Sequence, residues 1–291
     1  MLPIRDRVRV KSNKKTRHLV AFQGELGAFS SAAAQKILGA AVQMRPCASF
    51  REVFEVLLSG AVSHAVIPIE NTLHGSVHEN YDHLIEYNLP IRGETSLRIS
   101  HNLIALPGVR FGQIRRAYSH PVALNQCRQF FAKYSHIEPV SYYDTAGSVK
   151  MLNEVRPPAA AAIASETAAG IYGGVILKRN IEDDRKNFTR FFLLTKQTSP
   201  IKSATGEWKT SLAFSTPNTP GALFRTMACF ALRDLNLTKI ESRPLRARPW
   251  EYLFYLDVGG SPDQKLLKSA LANLAEITSF LKVLGSYRPT P

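Results

Sequence analysis

Apolar residues are spaced along this chain in two alternating rhythms. Residues 18–23 form a short apolar run that ends in a glycine loop, and residues 31–38 follow at helical spacing. Residues 50–59 place Val53, Phe54, Val56, Leu57 and Leu58 on one helical face. Residues 65–69 are continuously apolar, as a parallel strand covered on both faces requires. A helix over 81–87 and a strand over 97–105 come next, before Pro107-Gly108 breaks the pattern. A second cycle predicts a strand ending at 117–119 and a helix from Pro121 to about 134, with proline suited to the first turn. Asp144 stands as N-cap of a helix over 146–153, followed by a strand at 159–164, a helix at 166–172 and a returning strand at 191–195. Strands alternating with helices predict an α/β architecture of two similar lobes.

Beyond residue 196 the rhythm changes. A polar stretch, 197–207, reads as a linker. It leads to strand 210–215, helix 222–232, strands 237–245 and 250–258, helix 264–275 and strand 280–284, a ferredoxin-like βαββαβ unit. The expected organisation is a tail (1–17), a two-lobed domain (18–196, with lobe 1 at 18–98 and 186–196 and lobe 2 at 99–185), the linker, and a C-terminal domain (208–288).

Composition narrows the function classes. The 291 residues are 45% hydrophobic and 21% charged, a soluble globular profile, and no window approaches a membrane span. Cys47, Cys127 and Cys229 are dispersed without a CxxC, which fits free thiols in a reducing, cytoplasmic setting. The formal charge of +14 invites a nucleic-acid reading. Seven of its cations crowd into residues 1–18 against Asp6 alone, and no basic helix or aromatic interleaving follows, so no nucleic-acid partner is expected. An organellar leader is the alternative for that tail, which is short and poor in serine.

Polar clusters fall at predicted strand ends, where ligands sit in open α/β folds. The turn Gly24–Ser30 contains Gly27, Phe29 and Ser30 and can offer backbone N–H groups to an anion; an ordinary strand–helix turn explains it equally. Glu70, Asn71, Thr72 and Ser76 follow the buried strand, as polar ligand contacts or as a capping network. His78 and His83 are spaced HExxxH, one residue too long for a zincin helix, and no metal is expected. Tyr118-Ser119-His120-Pro121 and Asp144-Thr145-Ala146-Gly147-Ser148 are cleft walls or plain caps. Asn187-Phe188-Thr189-Arg190-Phe191 places a hydroxyl and a cation where the lobes meet; a salt-bridged surface strand is the alternative. In the C-terminal unit, Asn218, the Gly221-Ala222-Leu223 helix start and the Glu241-Ser242-Arg243-Pro244 strand outline a small-ligand loop, although turn chemistry alone also accounts for them.

Taken in register, GELGAFS, VIPIENTLHGSV, YSHP, DTAGS, AAIAS with YGGVIL, NFTRF, PGALF, ESRP, WEYLFYLD and ITSFLKVLGSY resemble the prephenate dehydratase family with a C-terminal regulatory ACT domain, over nearly the whole chain from residue 18. The resemblance implies a two-lobed, periplasmic-binding-protein-like catalytic domain, a decarboxylating dehydration of prephenate to phenylpyruvate without cofactor, and feedback inhibition by phenylalanine. It implies catalytic roles for Thr189, Arg190, Glu70, Asn71, Ser76, Thr145 and Ser148, and a cleft built with Gly27, Phe29, Ser30, His120 and Phe191. Arg190 is assigned either to a substrate carboxylate or to holding the motif in shape. The phenylalanine pocket is implied at Asn218, Gly221, Ala222, Leu223, Glu241, Ser242, Arg243 and Pro244, in a homodimer or homotetramer. One departure stands out: the family commonly has glutamine after His-Pro, and here it is Val122. With only the basic tail upstream, a monofunctional form is expected. Arogenate as substrate, or a non-catalytic amino-acid sensor, are the competing readings.

Overall fold

A computed structural model of the chain describes residues 18–197, 207–244 and 252–290. The basic tail, most of the expected linker and the 245–251 connection lie outside the described residues. In chain order the elements are β1 (Leu19–Gln23), α1 (Phe29–Leu38), β2 (Gln43–Cys47), α2 (Phe50–Ser59), β3 (His64–Asn71), β4 (Gly75–Ser76), α3 (His78–Glu86), β5 (Ile91–Arg98), β6 (Asn102–Ala105) and β7 (Arg116–Ser119). They continue with α4 (Pro121–Asn125), α5 (Arg128–Lys133), β8 (Glu138–Ser141), α6 (Thr145–Val155), β9 (Ala160–Ala164), α7 (Glu166–Ile171), β10 (Val175–Lys178) and β11 (Phe188–Leu194). The C-terminal unit comprises β12 (Lys209–Thr216), α8 (Ala222–Ala231), β13 (Leu237–Pro244), β14 (Tyr252–Gly259), α9 (Lys265–Ile277), β15 (Phe280–Tyr287) and β16 (Pro289–Thr290).

The architecture is α/β, and the C-terminal unit has the βαββαβ order read from its sequence. Lobe 2 is a five-stranded sheet, β10-β6-β9-β7-β8, with apolar clusters on both faces. Strand β9 is entirely buried, which explains its alanine-rich, alternation-free sequence. Lobe 1 and the C-terminal unit share one sheet, in the order β13-β14-β12-β15-β5-β11-β3-β1-β2. The join is a parallel contact of Gly285 in β15 with Ile91 in β5, continued by β16 alongside Glu94 and Thr95. A Cβ on Gly285 would lie 2.2 Å from the Ile91 carbonyl oxygen, so only glycine permits this approach. One apolar cluster runs across the join, from Val53 and Phe54 through Phe192 to Ala213, Tyr255 and Tyr287.

Several elements differ from expectation. Residues 97–105, read as one strand, divide between β5 in the first sheet and β6 in the second, and the intervening residues carry the chain from lobe to lobe. The helix read over 121–134 breaks at Gln126 and Cys127. Strand β11 begins at Phe188, three residues before the expected start, so Thr189 and Arg190 are strand residues with opposite faces. No helix among the described residues is long and apolar enough to cross a membrane.

Candidate functional site

Strand alternation decides what each residue of the NFTRF segment can do. Phe191 and Leu193 pack toward α1, whereas Phe192 and Leu194 pack toward the C-terminal unit. Thr189 shares the first face and Arg190 the second. Between the lobes lies a cleft of about 340 Å3, lined by Phe29, Ser30, Asn71, Ser76, His120, Thr145, Thr189 and Phe191 among others. That volume is within the roughly 300–1,000 Å3 typical of small-molecule sites.

Thr189 is nearly buried, and its hydroxyl sits 2.9 Å from the Asn71 side-chain amide. That amide also donates to the Asn187 side-chain oxygen at 2.7 Å and to the Phe188 carbonyl at 3.1 Å. Because Asn71 donates to Thr189 Oγ1, the hydroxyl keeps its own proton for a group in the cleft. The Asn71 oxygen is fixed in turn by the backbone N–H groups of Leu73 and His74, both at 3.0 Å. Thr72 adds a second tie between the strands: its hydroxyl donates to the Lys186 carbonyl and accepts from the Phe188 N–H.

The opposite wall comes from lobe 2. His120 N-caps α4, its Nδ1 accepting the Val122 N–H at 3.2 Å, and burial lowers its affinity for a proton against the weaker pull of Asp144. Asp144 N-caps α6 through the Gly147 N–H at 2.7 Å, and burial raises its pKa above the usual range. On the lobe 1 side, α1 starts at the cleft without a side-chain cap, so its first N–H groups offer a positive pole.

Four expected site residues are elsewhere. Arg190 turns from the cleft to the junction with the C-terminal unit, where it pairs with Glu94, with Asp257 at 2.6 Å and with Glu70 at 3.5 Å. It also donates to the Tyr287 hydroxyl at 3.2 Å and lies over the Phe192 ring at 4.8 Å. Of its two expected roles, substrate anchor or brace of the motif, this position fits the brace. Burial opposes its charge, but Asp257, Tyr287 and Glu94 outweigh burial and raise its pKa. Glu94 is likewise disfavoured as an anion by burial and still held below the usual carboxylate range by Arg190 and Lys209. Glu70 faces the same junction, 3.0 Å from Lys239. Ser148 is buried within α6 and donates to the Thr145 carbonyl at 2.6 Å. Gly27 serves packing: at φ +88° its missing Cβ leaves room for Ala168, whose Cα would otherwise lie 2.7 Å away.

The eight residues expected to form one ligand pocket in the C-terminal unit are divided by the pleat of β13. Glu241 contacts the Ser76 hydroxyl, Lys239 at 3.0 Å and His78 at 3.3 Å. Arg243 pairs with Asp82 at 2.7 Å and donates to the His78 carbonyl at 3.0 Å. Both therefore face lobe 1. Ser242 and Pro244 are exposed on the other side of the strand, as are Asn218, Gly221 and Leu223 at the α8 start, while Ala222 is buried. Val122, the departure noted in the sequence, lines the cleft, as do His74, His101 and Gln126, which sequence reading did not assign to it; the break between α4 and α5 that presents Gln126 has no proline or glycine to announce it.

Comparison with known proteins matches residues 20–199 to the family model described as prephenate dehydratase. The chain is 44% identical over 278 residues to "Arogenate dehydratase/prephenate dehydratase 2, chloroplastic" of Arabidopsis thaliana, covering 92% of this chain and 72% of that one. Its fold is similar to a prephenate dehydratase from Arthrobacter aurescens solved in complex with L-Phe, at TM-score 0.84 and 32% identity, over 93% of this chain and 89% of the other. It is also similar to a protein described as a novel type of quorum-quenching acylase, at TM-score 0.85 and 32% identity, over 94% and 98%.

Proposed function

This chain belongs to the prephenate dehydratase family, and from that premise we propose that it converts prephenate to phenylpyruvate, water and CO2 and is inhibited by phenylalanine. The observation that carries the reading is the Asn71–Thr189 pair, which aims a hydroxyl proton into the cleft. In the reaction the bond to the ring carboxylate breaks and its electron pair enters the ring. As that pair completes the aromatic ring the ring C–O bond breaks, and the hydroxyl leaves as water with a proton that comes from solvent by relay through Thr189. Aromatisation drives both events, so the protein's share is orientation, a hydrogen bond to the departing oxygen and exclusion of water. Thr189 supplies that hydrogen bond, Asn71 orients it, and the aromatic rings of Phe29 and Phe191 cover the substrate ring.

Prephenate carries a keto acid side chain, whereas arogenate carries an ammonium group there. Among the described residues lining the cleft, Asp144 is the one carboxylate, and it is engaged as a helix cap. The lack of a free carboxylate supports prephenate. Arogenate is the second reading, favoured by the Arabidopsis relative's name. An acylase reading has less support. Amide hydrolysis by a nucleophile calls for a hydroxyl or thiol bonded to a base, and the imidazoles of His74, His101 and His120 contact amide groups instead.

The βαββαβ unit is assigned as the phenylalanine-binding ACT domain, consistent with the L-Phe complex of the Arthrobacter relative. Self-association of the C-terminal unit is supported by β13, an edge strand carrying the exposed Ile240, and by the exposed Phe224 and Leu232 of α8 and its C-cap. Three buried free cysteines support a reducing, cytoplasmic setting. The test is turnover of prephenate and of arogenate by purified protein, with and without millimolar phenylalanine. Turnover of prephenate abolished by phenylalanine is expected; turnover of arogenate alone would replace the substrate, and turnover of neither would overturn the reading.

A further inference from the structure

A substrate with two carboxylates entering this cleft meets no lysine or arginine among the described lining residues. Arg190 on β11 and Lys239 on β13 are paired with carboxylates at the junction behind the cleft, and Arg128 lines only the adjoining cavity. Three imidazoles remain, and their surroundings differ. His101 is buried, its Nε2 lies 2.7 Å from the Gln126 side-chain oxygen, and burial disfavours its charged form. Its Nδ1 is buried without a hydrogen-bond partner, as a neutral ring with the proton on Nε2 would leave it. His120 spends Nδ1 on the Val122 N–H, and burial likewise lowers its basicity. His74 differs in being exposed at the cleft mouth.

The same contacts orient His74. With His101 donating to the Gln126 oxygen, the Gln126 side-chain nitrogen donates to His74 Nδ1 at 3.1 Å. The Asn71 oxygen lies 3.3 Å from that same nitrogen. Nδ1 thus accepts from Gln126 of lobe 2, while the Asn71 oxygen, itself an acceptor, holds the His74 backbone N–H at 3.0 Å; Nε2 has no protein partner among the described residues. A ring held by one nitrogen presents the other as a donor. Asn71 also holds Thr189, so a group bound at His74 is positioned relative to the reacting hydroxyl.

We infer that His74, oriented by Gln126 and His101, is the cleft's carboxylate-binding side chain and places the anionic substrate against Thr189. This rests on the proposed dehydratase reading. Val122, exposed and apolar, lines the same region and offers no competing polar contact. The other charged groups facing His74 are Asp144 within the cleft and Arg128, Glu182, Asp183 and Asp184 around the adjoining cavity.

The experiment compares wild type with His74→Ala, His74→Lys and Gln126→Leu in steady-state kinetics with prephenate. His74→Ala is expected to raise KM about tenfold or more while kcat stays within about threefold, as loss of a ground-state contact requires. Lysine should recover most of the KM, and Gln126→Leu should raise it by about three- to fivefold. Unchanged KM in His74→Ala, or no recovery with lysine, would overturn the inference while leaving the dehydratase reading intact. If wild type fails to turn over prephenate, calorimetric titration with phenylpyruvate decides: about tenfold weaker binding to His74→Ala supports the carboxylate arm, and equal binding removes it. His74→Ala melting at the wild-type temperature separates the effect from unfolding.

Discussion

The cleft and the junction behind it are built on the same strands and differ in charge. On one face of β3 and β11, Asn71 donates a neutral hydrogen bond to Thr189 in a cleft with no lysine or arginine among its described lining residues. On the other, one residue along, Glu70 and Arg190 enter a network with Glu94, Lys209, Asp257, Lys239 and Glu241. The comparison shows why adjacency in a motif is poor evidence of shared chemistry. The cleft keeps its donors available for a ligand, and the junction satisfies its charges internally, where a buried ion left without its partner would be costly.

Breaking the junction should have the largest effect. Arg190→Leu leaves Asp257 buried without its counter-ion and Glu94 with Lys209 alone, and a loss of about 3–5 kcal/mol is expected in chemical denaturation. A variant as stable as wild type would contradict the network's role. On the cleft face, Thr189→Ala should lower kcat by about 100-fold, or about 2.7 kcal/mol of barrier, with a modest change in KM and a near-native melting temperature. Near-normal kcat would remove Thr189 from the chemistry.

The comparison sharpens with pH at a third place, His64, which burial and the neighbouring His18 push down to about 4. Below about pH 6.5 the unfolded chain takes up a proton that the native site refuses, so stability falls as pH drops from about 6.5 toward 4. His64→Gln should flatten that slope in denaturation curves measured from pH 7 to 4; an equally steep slope would exonerate His64. The smallest effect is expected from Glu241→Gln, which weakens the link from β13 to Ser76 and Lys239. Basal kcat should stay within about twofold, and the phenylalanine concentration for half inhibition should shift by about three- to tenfold, a coupling of roughly 1 kcal/mol. No shift would show that inhibition takes another route.

Much of this was legible in the sequence. Helix α2 matches its predicted span because its apolar face is unambiguous and Ser49 caps it, accepting the Glu52 N–H. The missed strands β2, β8 and β10 each lie at a sheet edge and are largely exposed or half-buried; β2 and β8 lack a continuous apolar run, and β10 has only the three residues Val175, Ile176 and Leu177. Starting β11 at Phe191 hid the alternation that sends Thr189 and Arg190 opposite ways, and the same parity divides Glu241 and Arg243 from Ser242. Period-two reasoning started at Phe188 would have found the first, and applied along the strand already read from residue 237 it would have found the second. The Gln126 contacts were not legible, because they join His74 and His101 from residues 52 and 25 positions away in sequence.

The glycine contact at the join of the two units bears on how the protein can be dissected. Residues 280–290 cover one flank of β5 with backbone from β15 and β16. Cutting the chain after β11 would strip that cover and uncover an edge whose residues Gly93, Glu94 and Thr95 are buried in the intact molecule. A strand edge of that kind recruits other strands, including those of identical copies. The catalytic lobes produced alone would therefore be expected to aggregate rather than to behave as an unregulated enzyme, and the C-terminal unit acts, besides any ligand it binds, as the guard of that edge.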